Sequence, residues 1–179
     1  RIKKPLNPAV MKLKNYSFYF TLLTFCIISK NYGQSQSTNI FLGFQAGLNN
    51  TGLFNSGFGN SALINNKHHG NSAFGIDALR DNNGAYNCAF GNEALFSNRE
   101  GNYNASFGKR SLENNISGSG NVAFGYRALG DNNTTGSSNV AVGYASLLRS
   151  NGNSNTAIGN YAGFGLLSGK SNIIMGNNS

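Results

Sequence analysis

The sequence predicts an all-β protein, a parallel β-roll or β-solenoid of about eight to nine coils of 16–18 residues, preceded by an N-terminal signal helix. Three observations carry this. The anchors Asn39, Asn55, Asn71, Asn87, Asn104, Asn121, Asn139, Asn155 and Asn172 are spaced 16, 16, 16, 17, 17, 18, 16 and 17 residues apart. Four residues after each anchor stands a glycine: Gly43, Gly59, Gly75, Gly91, Gly108, Gly125, Gly143, Gly159 and Gly176. Between anchor and glycine there is always a large apolar residue. A short period held in register means one structural unit stacked on itself, because a single unit cannot bury its own apolar face.

With the anchor counted as position zero, position three is Leu42, Phe58, Phe74, Phe90, Phe107, Phe124, Val142, Ile158 and Met175. Position two is usually small: Ala73, Ala89, Ala123, Ala141 and Ala157, with Ser106 and Gly57. Position seven is Ala or Ser, and position eight is Leu63, Leu79, Leu95, Leu112, Leu129 or Leu147, with Gly in the first and eighth coils. Two short apolar runs split by glycine, rich in β-branched and aromatic residues, fit two short strands better than a helix. These are expected at positions one to three and six to eight. Side chains alternate along a strand. Position three is therefore expected to point inward, so that Phe58, Phe74, Phe90, Phe107, Phe124, Val142 and Ile158 form the core. Position two is expected to point outward, making Ala73, Ala89, Ala123, Ala141 and Ala157 the interchain face. Glycine at position four permits a turn that a Cβ resists, and Asn82-Asn83-Gly84 and Asn132-Asn133 suit a second turn with positive φ. Stacked anchors are expected to hydrogen-bond along the axis as an amide ladder.

The start of the chain reads differently. Lys12 and Lys14 follow Met11, and residues 16–29 (YSFYFTLLTFCIIS) are a 14-residue apolar stretch. That is shorter than the ~20 residues that span a bilayer, so a signal peptide is expected and no membrane span in the mature chain. The expected organisation is an upstream segment at 1–10, a signal peptide at 11–33, a linker at 34–38 and the repeat domain at 39–179, continuing past Ser179 in the natural protein.

Six of the 14 basic residues lie within residues 1–30, so the +8 net charge belongs largely to the leader and not to the repeats. No nucleic-acid partner is expected on that ground. Cys88 is the one thiol outside the leader; it sits at position one and reads as a small core residue. Six carboxylates and the His68-His69 pair recur at no fixed repeat position, so no catalytic site, no metal site and no cofactor are expected. The stretch from Gly163 to Gly169-Lys170-Ser171 misses the spacing of a phosphate loop.

The segments SNVAVGYASL (138–147), SNTAIGNYAG (154–163) and GNVAFGYRAL (120–129) resemble the head repeats of YadA-like trimeric autotransporter adhesins. The resemblance spans residues 39–177. It implies a left-handed parallel β-roll and a homotrimer. It also implies a secreted or bacterial cell-surface location and a host or surface ligand whose identity is not legible. A non-enzymatic adhesin-type head is therefore expected. The alternatives are a structural fibre segment that continues into a further C-terminal domain and, less favoured, an ice-binding solenoid.

Overall fold

The computed structural model describes residues 38–131 and 135–179. The expected upstream segment, the signal helix, the linker up to residue 37 and the Asn132-Asn133 turn lie outside the described residues. Each coil contributes one three-residue strand at positions one to three: β1 Ile40–Leu42, β2 Ser56–Phe58, β3 Ser72–Phe74, β4 Cys88–Phe90, β5 Ala105–Phe107, β6 Val122–Phe124, β7 Val140–Val142, β8 Thr156–Ile158 and β9 Ile173–Met175. They form one sheet in chain order, with every neighbouring pair parallel. The chain is a parallel β-solenoid of about eight turns, as the repeat predicts. Equivalent positions pair even where a coil is longer: Cys88, Ala89 and Phe90 face Ala105, Ser106 and Phe107. The additional residues of long coils fall in the loop between position eleven and the third residue before the next anchor.

No second strand is present at positions six to eight among the described residues; this stretch is a run of turns. Ala62 N–H donates to the Gly59 carbonyl, Ile64 to Ser61 and Asn66 to Leu63, each a step of three residues. The third residue of the first two turns has positive φ, 55° at Ser61 and 54° at Leu63, as a type II turn requires. Leu79 (φ 49°), Leu95 (51°) and Leu147 (49°) repeat this at position eight. A left-handed conformation costs an L-residue about 1–2 kcal/mol. Complete burial of the same leucine returns about 1.5–3 kcal/mol, so burial wins and the strained turn persists.

The strand faces the other way from the sequence expectation. The position-two row lies inside: Ala73, Ala89, Ala123, Ala141 and Ala157 are all 0% exposed. They pack against Ala62, Ala78, Ala94, Ala128 and Ala162 at position seven and the leucines at position eight. The row expected to form the core (Phe58, Phe74, Phe90, Phe107, Phe124, Val142 and Ile158) is half-buried or exposed on the outer face. The reason is interior width. One strand over one layer of turns leaves room for one large side chain per coil, and the leucine takes it. The end coils prove the rule by exchange. In the first, Phe41 occupies position two and position eight is Gly47, where a Cβ would fall 2.5 Å from the Phe41 ring. In the last, Ile174 occupies position two and lies 3.1 Å from where a Cβ of Gly163, at position eight of the preceding coil, would stand. An arginine at Ala89, Ala123 or Ala141 would enter the interior and so cannot report on an interchain face. Cys88 is corrected with them: its side chain is half-buried at position one of the outer face, where desolvation raises its thiol pKa.

Candidate interaction surface

The anchors are buried, from Asn55 to Asn155, and each ties two coils together. The Oδ1 of every anchor accepts the backbone N–H of the next, at 2.7 Å for Asn39 to Asn55 and 2.9 Å for Asn87 to Asn104. The Nδ2 of the anchor donates to the carbonyl three residues before the next anchor, as in Asn71 to Gly84 (3.0 Å) and Asn87 to Gly101 (2.9 Å). The expected amide-to-amide ladder is at most partial here, as in Asn104 to Asn87 at 3.2 Å. A fuller one runs along position eleven. There Asn66 donates to Asn50 (2.6 Å), Asn82 to Asn66 (2.6 Å), Asn98 to Asn82 (2.7 Å) and Asn115 to Asn98 (2.7 Å). Sequence reading missed this row inside the polar stretch, although its spacing of 16, 16, 16 and 17 residues was on view.

The loops are thus partly consumed by the fold. The backbone at Gly84 has no positive φ. Its glycine is needed because a Cβ there would fall 1.9 Å from the Gly101 carbonyl. The position-four glycines do combine both demands: Gly91 has φ +141°, and its Cβ would meet the Gly108 carbonyl oxygen at 2.5 Å. His69 Nδ1 accepts the Leu53 N–H at 3.0 Å, and Asn102 Oδ1 takes the Ala85 N–H at 2.7 Å at the equivalent place in a later coil. One histidine of the pair therefore serves as a coil-to-coil rung. Among the described residues, no group of three or more His, Cys, Asp or Glu is placed to hold a metal ion. No helix among them is long and apolar enough to cross a membrane.

What remains available is the outer face of the strands. At position three, Phe58, Phe74, Phe90, Phe107 and Phe124 stack on one another with centroids 4.7, 4.5, 5.2 and 5.6 Å apart. Leu42, Ile158 and Met175 extend the row with 64%, 41% and 68% exposure. Position one adds Ile40, Val122 and Ile173, also exposed. At about 4.8 Å per strand this apolar strip runs about 38 Å along the axis. Monomeric soluble proteins rarely leave a long contiguous apolar strip in water.

Two flanks border the strip. The residue before each anchor forms one: Thr38, Phe54, Gly70, Tyr86, Tyr103, Gly120, Ser138, Ser154 and Ser171 in successive coils. Position five forms the other: Phe44, Asn60, Ile76, Asn92, Lys109, Tyr126, Tyr144, Asn160 and Asn177. Through the first seven coils, a bulky apolar residue on one flank always faces a small or polar one on the other. Tyr86 and Tyr103 stack at 5.2 Å on the first flank, and Tyr126 and Tyr144 at 5.1 Å on the second. Lys109 is the one charge on these flanks; others lie further round the coil, where Arg110 pairs with Glu93 at 2.5 Å, and Arg127 with Asp131.

Fold and surface together define a parallel β-solenoid repeat protein with an apolar strand face. No family model matches the sequence, and no curated protein or solved structure matches it.

Proposed function

We propose that this chain is a non-enzymatic exported surface protein, an adhesin-type head whose left-handed β-roll assembles as a homotrimer on its strand face. The observation that carries the reading is the continuous Phe58 to Phe124 stack, left on the outside of the solenoid while the alanine row fills the interior. A row of half-exposed aromatic rings in register is costly in water and gains by burial against other copies. The resemblance of the coils to YadA-like head repeats supports the trimer and a secreted or cell-surface location. A rigid rod presenting repeated loops to a host or surface ligand would gain attachment through avidity.

Two measurements test this. Phe74→Glu with Phe107→Glu should reduce the solution mass to that of one chain while the β spectrum is retained; an unchanged oligomer would reject the strand face as the interface. Display of the chain on a non-adherent bacterium should increase attachment to an epithelial layer. Unchanged attachment with an intact trimer would favour the second reading, a fibre or spacer segment without a ligand of its own. That reading draws support from the loop asparagines, whose side chains are spent on coil-to-coil bonds rather than presented to a partner.

A further inference from the structure

We propose that the two flanks of the strand face recognise each other between copies, the edge before the anchor of one chain docking on the position-five edge of a second, parallel and in coil register. This rests on the homotrimer reading and says which residues would meet. The argument is one of volume. In coil four the bulk is Tyr86, with Asn92 on the opposite flank; in coil six it is Tyr126, with Gly120 opposite. A parallel copy at the same level brings each knob onto a small or polar residue through the first seven coils. An antiparallel copy reverses the levels and sets each flank against itself. Tyr103 then meets its own counterpart and Ile76 meets Tyr144. Close packing at an interface requires such volume matching. Because the two docking edges differ, a ring of three uses one heterologous contact between each pair of copies. The stagger of bulk from one flank to the other after coil five also penalises a copy slipped along the axis.

Gly120 supplies the test. Its φ is +68°, and Tyr86 and Tyr103 hold φ of 59° and 58° at the equivalent position. The nearest heavy atom to a Cβ at Gly120 is 3.8 Å away. A tyrosine therefore fits the monomer there but places a knob against the neighbouring Tyr126. Light scattering on the 179-residue chain should give three chains of 19.0 kDa for the unaltered protein. Gly120→Tyr should lower the mass threefold with an unchanged far-UV spectrum, and adding Tyr126→Asn, which gives coil six the pairing of coil four, should restore it. An unaltered protein that is a trimer and keeps its mass on Gly120→Tyr would overturn this flank pairing alone. Restoration by Tyr86→Gly in place of Tyr126→Asn would overturn it in favour of antiparallel docking. An unaltered protein of single-chain mass would overturn the trimer reading and the flank pairing together.

Discussion

Gly91→Ala is expected to abolish cooperative folding of the coil stack. At φ +141° the backbone is in a region L-residues avoid, which alone costs on the order of 1–3 kcal/mol. The added Cβ would also sit 2.5 Å from the Gly108 carbonyl oxygen, a backbone atom of the next coil that no rotamer change can move. Coils four and five would have to separate there, breaking the parallel pairing of β4 with β5. Since a domain's net stability is only about 5–15 kcal/mol, Gly91→Ala should remove cooperative thermal unfolding followed by circular dichroism. Gly165→Ala is the control, because nothing lies within 4 Å of its Cβ and its φ is ordinary. It should shift stability by less than about 1 kcal/mol. Equal behaviour of the two variants would mean that the close approach of coils at position four is not what demands glycine.

Asn87→Ala should cost about 2–4 kcal/mol, far more than an exposed asparagine in the same coil. Its Oδ1 accepts the Asn104 N–H at 2.9 Å, and its Nδ2 donates to the Gly101 carbonyl at 2.9 Å. Truncation leaves the buried Asn104 N–H without an acceptor, worth about 1–3 kcal/mol, and removes the bond to Gly101, worth about 1 kcal/mol. The Asn104 side-chain amide also loses its 3.2 Å bond to Asn87 but keeps the Gly118 carbonyl at 2.9 Å, so it is not stranded. Gly101 keeps the Asn98 amide at 2.8 Å, so its carbonyl is not orphaned and the loss stays below that of two stranded groups. Asn92→Ala loses one exposed bond to the Ile76 carbonyl and should stay within about 0.5 kcal/mol. Denaturant midpoints compare the two. A midpoint for Asn87→Ala matching that of Asn92→Ala would show that the anchor acts as a turn residue only.

The coil count, the strand at positions one to three and the register were all legible, because each depends on spacing alone. The direction of the strand was not. Alternation says that positions two and three face opposite ways, but not which way is in, and residue size alone points to the wrong row. The chain did carry the correcting signal in its exceptions. Phe41 with Gly47, and Ile174 with Gly163, show that bulk at position two is matched by its loss at position eight, as interior neighbours require. The same reading mistook positions six to eight for a strand, since left-handed leucines at Leu79 and Leu95 contradict local preference and are held only by burial. The position-eleven asparagines were legible by spacing but resembled ordinary loop composition.

The sequence by itself determined that this protein is a stack of like coils, because periodicity survives without any knowledge of contacts. It also determined the position-four glycine, since nothing else recurs there nine times. Only the tertiary structure decided that alanine and leucine fill the interior while the phenylalanine row is left outside. That choice depends on the width between the strand and the opposing turns, a distance created by folding and encoded at no single position.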